Sequence, residues 1–218
     1  MTEPLSTGID VLDRMLGGGV PAGSLVNLSA QPTSQAEMFI YELAKCRPTL
    51  YLSTVRSEPM VSGALDRADV PHGDISIREF DLPAPSDPEE RPDAILREAM
   101  RSIEDISEGT NVVVDPINVL ELTGAPYYQR FLNDLSNVID ESGSIALLHC
   151  LDGRSVPDQR DITEYMADIV FSLTTEVNED SIETRLAVPK FRGKQALQET
   201  IKLNLSDEIT VDMSRNIA

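Results

Sequence analysis

Lysine is scarce in this chain: only Lys45, Lys190, Lys194 and Lys202 occur in 218 residues. Against 18 Lys and Arg stand 37 Asp and Glu, a formal net charge of −19. A broad DNA-binding face works by clustered basic side chains on phosphates, so nucleic acid is disfavoured as a partner. The same imbalance means strong self-repulsion in dilute buffer, a lever that halophilic proteins use. It predicts adaptation to molar salt and a halophilic archaeal source. Cysteine and histidine are nearly absent as well, with Cys46, Cys150, His72 and His149 the complete set. No CxxC occurs and the two histidines lie far apart, so neither a disulfide nor a metal site is expected. Cys46 and Cys150 instead fit buried positions at the ends of a helix and a strand. No apolar run reaches the roughly 18 residues of a membrane span, and no charged-then-apolar leader opens the sequence. The expectation is a cytoplasmic chain forming a single domain over residues 1–218.

What is present is an alternation of helical and strand periods. A short helix is expected around Asp10 to Leu16, with Asp10 as its cap and Gly17-Gly18-Gly19 ending it. After the turn Pro21-Ala22-Gly23, the compact run Ser24 to Ser29 reads as a strand. Ser34 to Cys46 follows as a helix, then a strand from Thr49 to Thr54, a helix from Glu58 to Ala68 and a strand from Ile75 to Phe80. The stretch DLPAPSDPEERP, residues 81–92, is expected to be an exposed, mobile loop. Asp93 to Ser107 is an amphipathic helix, Asn111 to Asp115 an apolar strand ending in a carboxylate, Tyr127 to Glu141 a helix and Ser144 to Cys150 a strand. Beyond Asp161 the pattern turns to strand-like alternation, with strands expected at 167–173, 184–188, 200–205 and 208–213. The sum is an α/β fold: a mostly parallel sheet flanked by helices, finished by antiparallel C-terminal strands.

The organising stretch runs from Ser6 to Met38 and has the frame of a P-loop nucleotide-binding domain: helix, glycine turn, buried strand, then a loop opening a helix. A phosphate-cradling loop reads G-x-x-x-x-G-K-[ST]. Its glycines let backbone N–H groups approach the phosphates, its lysine neutralises charge, and its hydroxyl holds Mg²⁺. The eight aligned positions here are Ala30, Gln31, Pro32, Thr33, Ser34, Gln35, Ala36 and Glu37. Both glycines, the lysine and the hydroxyl are replaced, and Glu37 sets a negative charge where a metal-bound phosphate would sit.

Ser6-Thr7-Gly8-Ile9, Leu12-Asp13, Leu16 to Pro21 and Gly23-Ser24 resemble the N-terminal signature of KaiC-like proteins in the RecA superfamily. Ala167-Asp168-Ile169-Val170 is similar to that family's AD-x-[VI] strand, and Lys190-Phe191-Arg192-Gly193 to its K-x-R-G hairpin. The resemblance spans about residues 5 to 205. It implies a RecA-like core, ring or filament assembly, and nucleotide at subunit interfaces. Lys190 and Arg192 match the pair that reaches a neighbour's nucleotide, where a basic finger stabilises transition-state charge in trans. Asp115 matches the Walker B carboxylate, and the degenerate loop resembles a haloarchaeal branch of these proteins.

The departures decide the mechanism that is expected. The family's acidic residues after the second strand position the attacking water; here those positions hold Val55 and Arg56, and neither serves. Glu58 reads as a helix N-terminal acid, and His149 as a polar residue at a strand end. The leading expectation is a catalytically inactive pseudo-ATPase without cofactor, regulatory in role. Its partner is a second copy of itself, an active KaiC-like or RecA-like ATPase, or both. Two alternatives stand beside it: a non-standard ATP- and Mg-binding switch, and a recombination-mediator paralogue acting with a recombinase.

Overall fold

The computed structural model describes residues 3–71, 73–80, 93–205 and 209–211. The expected loop at 81–92 lies outside the described residues. Two glycines make the N-terminal signature possible. Gly19 has φ +120°, and a Cβ there would stand 2.2 Å from the Leu5 carbonyl oxygen. Gly8 has φ +85°, and its Cβ would stand 2.4 Å from the Glu42 carbonyl oxygen. Only glycine lets the backbones approach this closely. The result is a small hairpin, β1 (Pro4–Leu5) with β2 (Val20–Pro21), wrapped around α1 (Asp10–Leu16). Asp10 is not the cap. The helix has no side-chain cap; Asp13 instead ties down the segment before it, accepting bonds from Thr7 N at 2.9 Å, Thr7 Oγ1 at 2.7 Å and Ser6 Oγ at 2.6 Å.

The chain then alternates through β3 (Ser24–Ala30), α2 (Glu37–Cys46), β4 (Thr49–Ser53), α3 (Glu58–Arg67) and β5 (Ile75–Glu79). It continues with α4 (Ala94–Ile103), β6 (Asn111–Asp115), α5 (Asn118–Glu121), α6 (Ala125–Glu141) and β7 (Ile145–Leu151). Last come α7 (Arg160–Met166), β8 (Ile169–Val177), β9 (Ile182–Phe191), β10 (Ile201–Leu205) and β11 (Ile209–Val211). The large sheet has the order β11-β10-β9-β8-β3-β7-β6-β4-β5, parallel from β8 to β5 and antiparallel from β9 to β11.

Strand alternation splits the core in two. Leu28, Tyr51, Val113 and Leu147 face α1, α2 and α3, where Leu12, Ile40, Leu43 and Leu65 meet them. Leu25, Leu52, Val114 and Leu148 face α4 and α6 and pack on Leu96, Ile103, Phe131 and Leu135. With both faces covered, the central strands are apolar throughout, as the run NVVVD is. Truncating Leu135→Ala, with no exposure at all, costs about 2–5 kcal/mol by loss of packing.

Three expectations are corrected. The segment after Asp161 is helical before it is extended, because α7 occupies Arg160–Met166. The helix expected from Ser34 begins at Glu37, since residues 31–34 form a turn. The helix expected to reach Ser107 stops at Ile103.

Candidate functional site

In a parallel sheet, ligands meet the loops at the C-terminal ends of the strands. Here those loops follow β3, β4, β6 and β7. The loop after β3 closes on itself: Ser34 N donates to the Gln31 carbonyl at 2.9 Å, and Ser34 Oγ donates to the same oxygen at 2.7 Å. None of residues 30–37 has positive φ, so the loop lacks the left-handed turns that splay N–H groups into an anion cradle. Ala30 and Ala36 are buried, Gln31, Pro32, Thr33 and Gln35 are exposed, and Ser34 and Glu37 are half-buried. Glu37 opens α2, where the helix field would otherwise favour an anionic ligand.

Asp115 ends β6, and the register sets Ser53 of β4 directly beside it. Both of its carboxylate oxygens are taken by the chain itself. Oδ2 accepts from Arg56 Nη2 at 2.6 Å and from the Tyr51 hydroxyl, which Arg56 Nη2 also reaches at 2.7 Å. Oδ1 lies 2.6 Å from His149 Nδ1 on β7. Burial alone would raise the Asp115 pKa. The His149 bond and charge, the Tyr51 bond and the Arg56 charge outweigh it and hold the group down at about 2. Burial pushes the Tyr51 hydroxyl well above its usual range, so it stays a donor. His149 Nε2 is buried and has no hydrogen-bond partner among the described residues.

A magnesium nucleotide does not fit this donor set. The carboxylate that would hold the ion is saturated by an arginine, a tyrosine and a histidine. The loop offers no lysine. Glu37 adds a negative charge at the phosphate position.

Beside the loop lies a second buried network that the sequence did not flag. Arg160, at the start of α7, grips Glu121 of α5 with Nε at 2.9 Å from Oε1 and Nη2 at 3.0 Å from Oε2. Its Nη1 reaches Asp152 Oδ1 at 2.6 Å, and Asp152 Oδ2 accepts from Ser29 Oγ at 2.5 Å. Thr163 Oγ1 donates to Glu121 Oε1 and lies 2.7 Å from the Tyr128 hydroxyl. The faint signal was one arginine inside the acidic run at 158–164, flanked by residues of helical spacing.

Lys190 and Arg192 lie at the opposite end of α7. Lys190 Nζ donates to the carbonyls of Glu164 and Tyr165, both at 2.7 Å. Arg192 donates to the Tyr165, Met166 and Ala167 carbonyls and pairs with Asp168 Oδ1 at 2.8 Å. The two cations satisfy the free carbonyls that end every helix and complement its dipole. They are far from Asp115 in the same chain.

The fold matches a solved structure, the KaiC-like protein PH0186 from the hyperthermophilic archaeon Pyrococcus horikoshii OT3. The TM-score is 0.74 at 17% sequence identity, over 97% of this chain and 100% of that one. The chain therefore shares the fold of that KaiC-like protein. Among curated proteins there is no significant match. Residues 4–218 match the Family of unknown function (DUF7125), and the chain belongs to that family.

Proposed function

We propose that this chain is a catalytically inactive KaiC-like protein, a cytoplasmic regulatory or assembly subunit that acts by binding other protein chains. One observation carries the reading: Asp115, the carboxylate at the Walker B position, is bound to the chain's own Arg56. Hydrolysis in this fold relies on a metal-held nucleotide and a group that orients water. Arg56 sits where the orienting acid belongs and neutralises the metal ligand as well. A chain that keeps the scaffold and blocks the chemistry is suited to binding. The acidic composition supports a halophilic archaeal setting for that work.

The test is titration calorimetry of ATP with Mg²⁺ in about 2 M KCl, where an acidic chain stays folded, with Asp115→Ala as control. No heat from either protein is the expected result. Saturable binding that Asp115→Ala abolishes would overturn the reading in favour of a nucleotide switch.

A further inference from the structure

Between α2 and α3 runs an open groove of about 660 Å³, a volume in the range of small-molecule sites. Its floor is apolar, built from Met38 and Tyr41 of α2, Ala64 of α3 and Val70 just beyond it. Cations stand at both ends. Arg56 lies beside the start of α2, and Lys45 with Arg67 stand where the two helices finish. Two turns of helix separate Glu37 from Lys45, so the groove is about 12 Å long. Lys45 is already held by Glu42 at 2.8 Å.

Arg56 turns its outer edge to this groove. Nη2 is the nitrogen held inside, by Asp115 Oδ2 and the Tyr51 hydroxyl, while 29% of the side chain is exposed. A guanidinium carries its N–H donors in a rigid planar fork, so with Nη2 turned inward Nε and Nη1 are the donors left for the groove. The Tyr41 hydroxyl hydrogen-bonds to the same guanidinium. Arginine only donates, so the phenol accepts that bond and keeps its own proton to give. Burial raises the Tyr41 pKa and holds that proton in place. Asp115 and Tyr51 orient the fork from behind, so the donors are set before anything binds.

The surrounding charge selects the class of anion. Glu37 lines the same end of the groove, and its charge acts on Tyr41 as that of Arg56 does. A ligand with two negative charges is disfavoured there. One planar carboxylate engages both teeth of a fork with a single charge. In molar salt the Debye length falls to about 3 Å, so the net charge of −19 does not keep an anion away and the donors in contact decide.

We propose that the α2–α3 groove binds a small organic monocarboxylate, with its carboxylate on Arg56 and Tyr41 and its apolar body on Met38, Ala64 and Val70. The inference goes beyond the reading of the chain as a protein-binding subunit. It gives the arginine that closes Asp115 on its inner side a small-molecule ligand on its outer side.

Two-dimensional NMR of the full chain in about 2 M KCl tests this, with phenylacetate as the probe and phenylacetamide as its neutral isostere. A ligand of that size should bind with a Kd of about 5 mM. Saturating shifts are expected at Arg56 Nε–H and at the amides of Tyr41 and Val70. The isostere should bind about tenfold more weakly. Arg56→Lys, which keeps the charge and loses the fork, should weaken phenylacetate by about as much. Ala64→Glu, at a half-buried helical position, sets a competing carboxylate in the groove and should abolish binding with the Arg56 clamp untouched; circular dichroism checks the fold. Shifts that stay linear to about 50 mM overturn the proposal, and so does binding that Ala64→Glu leaves unchanged. An amide that binds as well as the acid overturns it, since the groove would then read only apolar surface. Inorganic phosphate that binds as tightly as phenylacetate overturns it too, because Glu37 would then exclude nothing.

Discussion

Arg56 Nη2 lies 2.6 Å from Asp115 Oδ2, so the turn after β4 closes onto the residue ending β6. The sheet order makes this contact: β4 and β6 are neighbours, and the register sets Ser53 against Asp115. Ser53 Oγ holds the turn by donating to the Arg56 carbonyl at 2.6 Å, which brings the guanidinium back over the strand ends. With Tyr51 below and His149 beside it, the carboxylate has a complete set of donors without an ion. A buried carboxylate held by charged donors is among the stronger interactions a protein makes.

That arrangement gives a pH signature. A carboxyl depressed to about 2 adds stability that is complete above the unfolded value near pH 4 and is lost as pH falls towards 2. The depression corresponds to about 2 kcal/mol at neutral pH. Asp115→Asn should therefore be less stable than the wild type by about that amount at pH 7, with the two converging near pH 2. Chemical denaturation across this range reads it directly. Parallel curves with a constant gap would mean the carboxylate's charge contributes nothing.

The network around Arg160 predicts a sign reversal. Glu121 and Arg160 are both buried, and Arg160→Met leaves the Glu121 carboxylate without its bidentate partner. Removing one member of a buried pair costs about 3–5 kcal/mol, whereas replacing both by apolar groups is often neutral. Thermal melts should show a fall of order 10 °C for the single variant in a chain of this size. Most of that should return in Glu121→Met/Arg160→Met. A double variant as unstable as the single would assign the loss to packing around α7.

Much of this structure was legible in the sequence, and the misses share a cause. The parallel strands announce themselves because both faces are covered, which leaves apolar runs such as Val112–Val114. The glycine run marks the end of α1, as its left-handed Gly17 cap shows, but the pairing of β1 with β2 is not legible there. The seven-residue α7 is missed in the sequence, since it is too short for a clear period and owes its position to contacts from Glu121, Lys190 and Arg192, which are remote in sequence. That residues 30–37 carry neither a glycine nor a lysine is plain in the sequence. What Arg56 does is not, because its partner lies 59 residues away and only the strand order brings the two together.

The clamp at the C-terminal end of α7 should be visible by hydrogen exchange. Ala167 N bonds to the Thr163 carbonyl in the last turn, just ahead of the carbonyls that Lys190 and Arg192 hold. Lys190→Ala/Arg192→Ala is expected to speed exchange at Ala167 and Asp168 and to cost about 1 kcal/mol in total. Protection in the β3–β7 pairing should not change, because those strands are locked by the central core. Unaltered exchange at Ala167 and Asp168 would leave the two cations without a role inside the chain.

The inactive reading sets two features against nucleotide binding, the altered loop and the occupied carboxylate, and variants can separate them. Ala30→Gly, Gln35→Gly, Ala36→Lys and Glu37→Thr together rebuild the phosphate-loop pattern in place. The rebuilt loop should still bind ATP with Mg²⁺ no more tightly than about 1 mM, since Asp115 remains paired with Arg56 and cannot support the ion. Adding Arg56→Ala removes the cation from Oδ2 of Asp115 and leaves it the neutral Tyr51 hydroxyl alone, and calorimetry should then detect saturable, magnesium-dependent binding. Equal binding with and without Arg56 would show that the loop alone had been lost, and that the arginine merely fills the space. Binding that appears only in the combined variant would identify Arg56 as an internal replacement for the metal. The present site would then be a second stable state of the scaffold, and not only an eroded one.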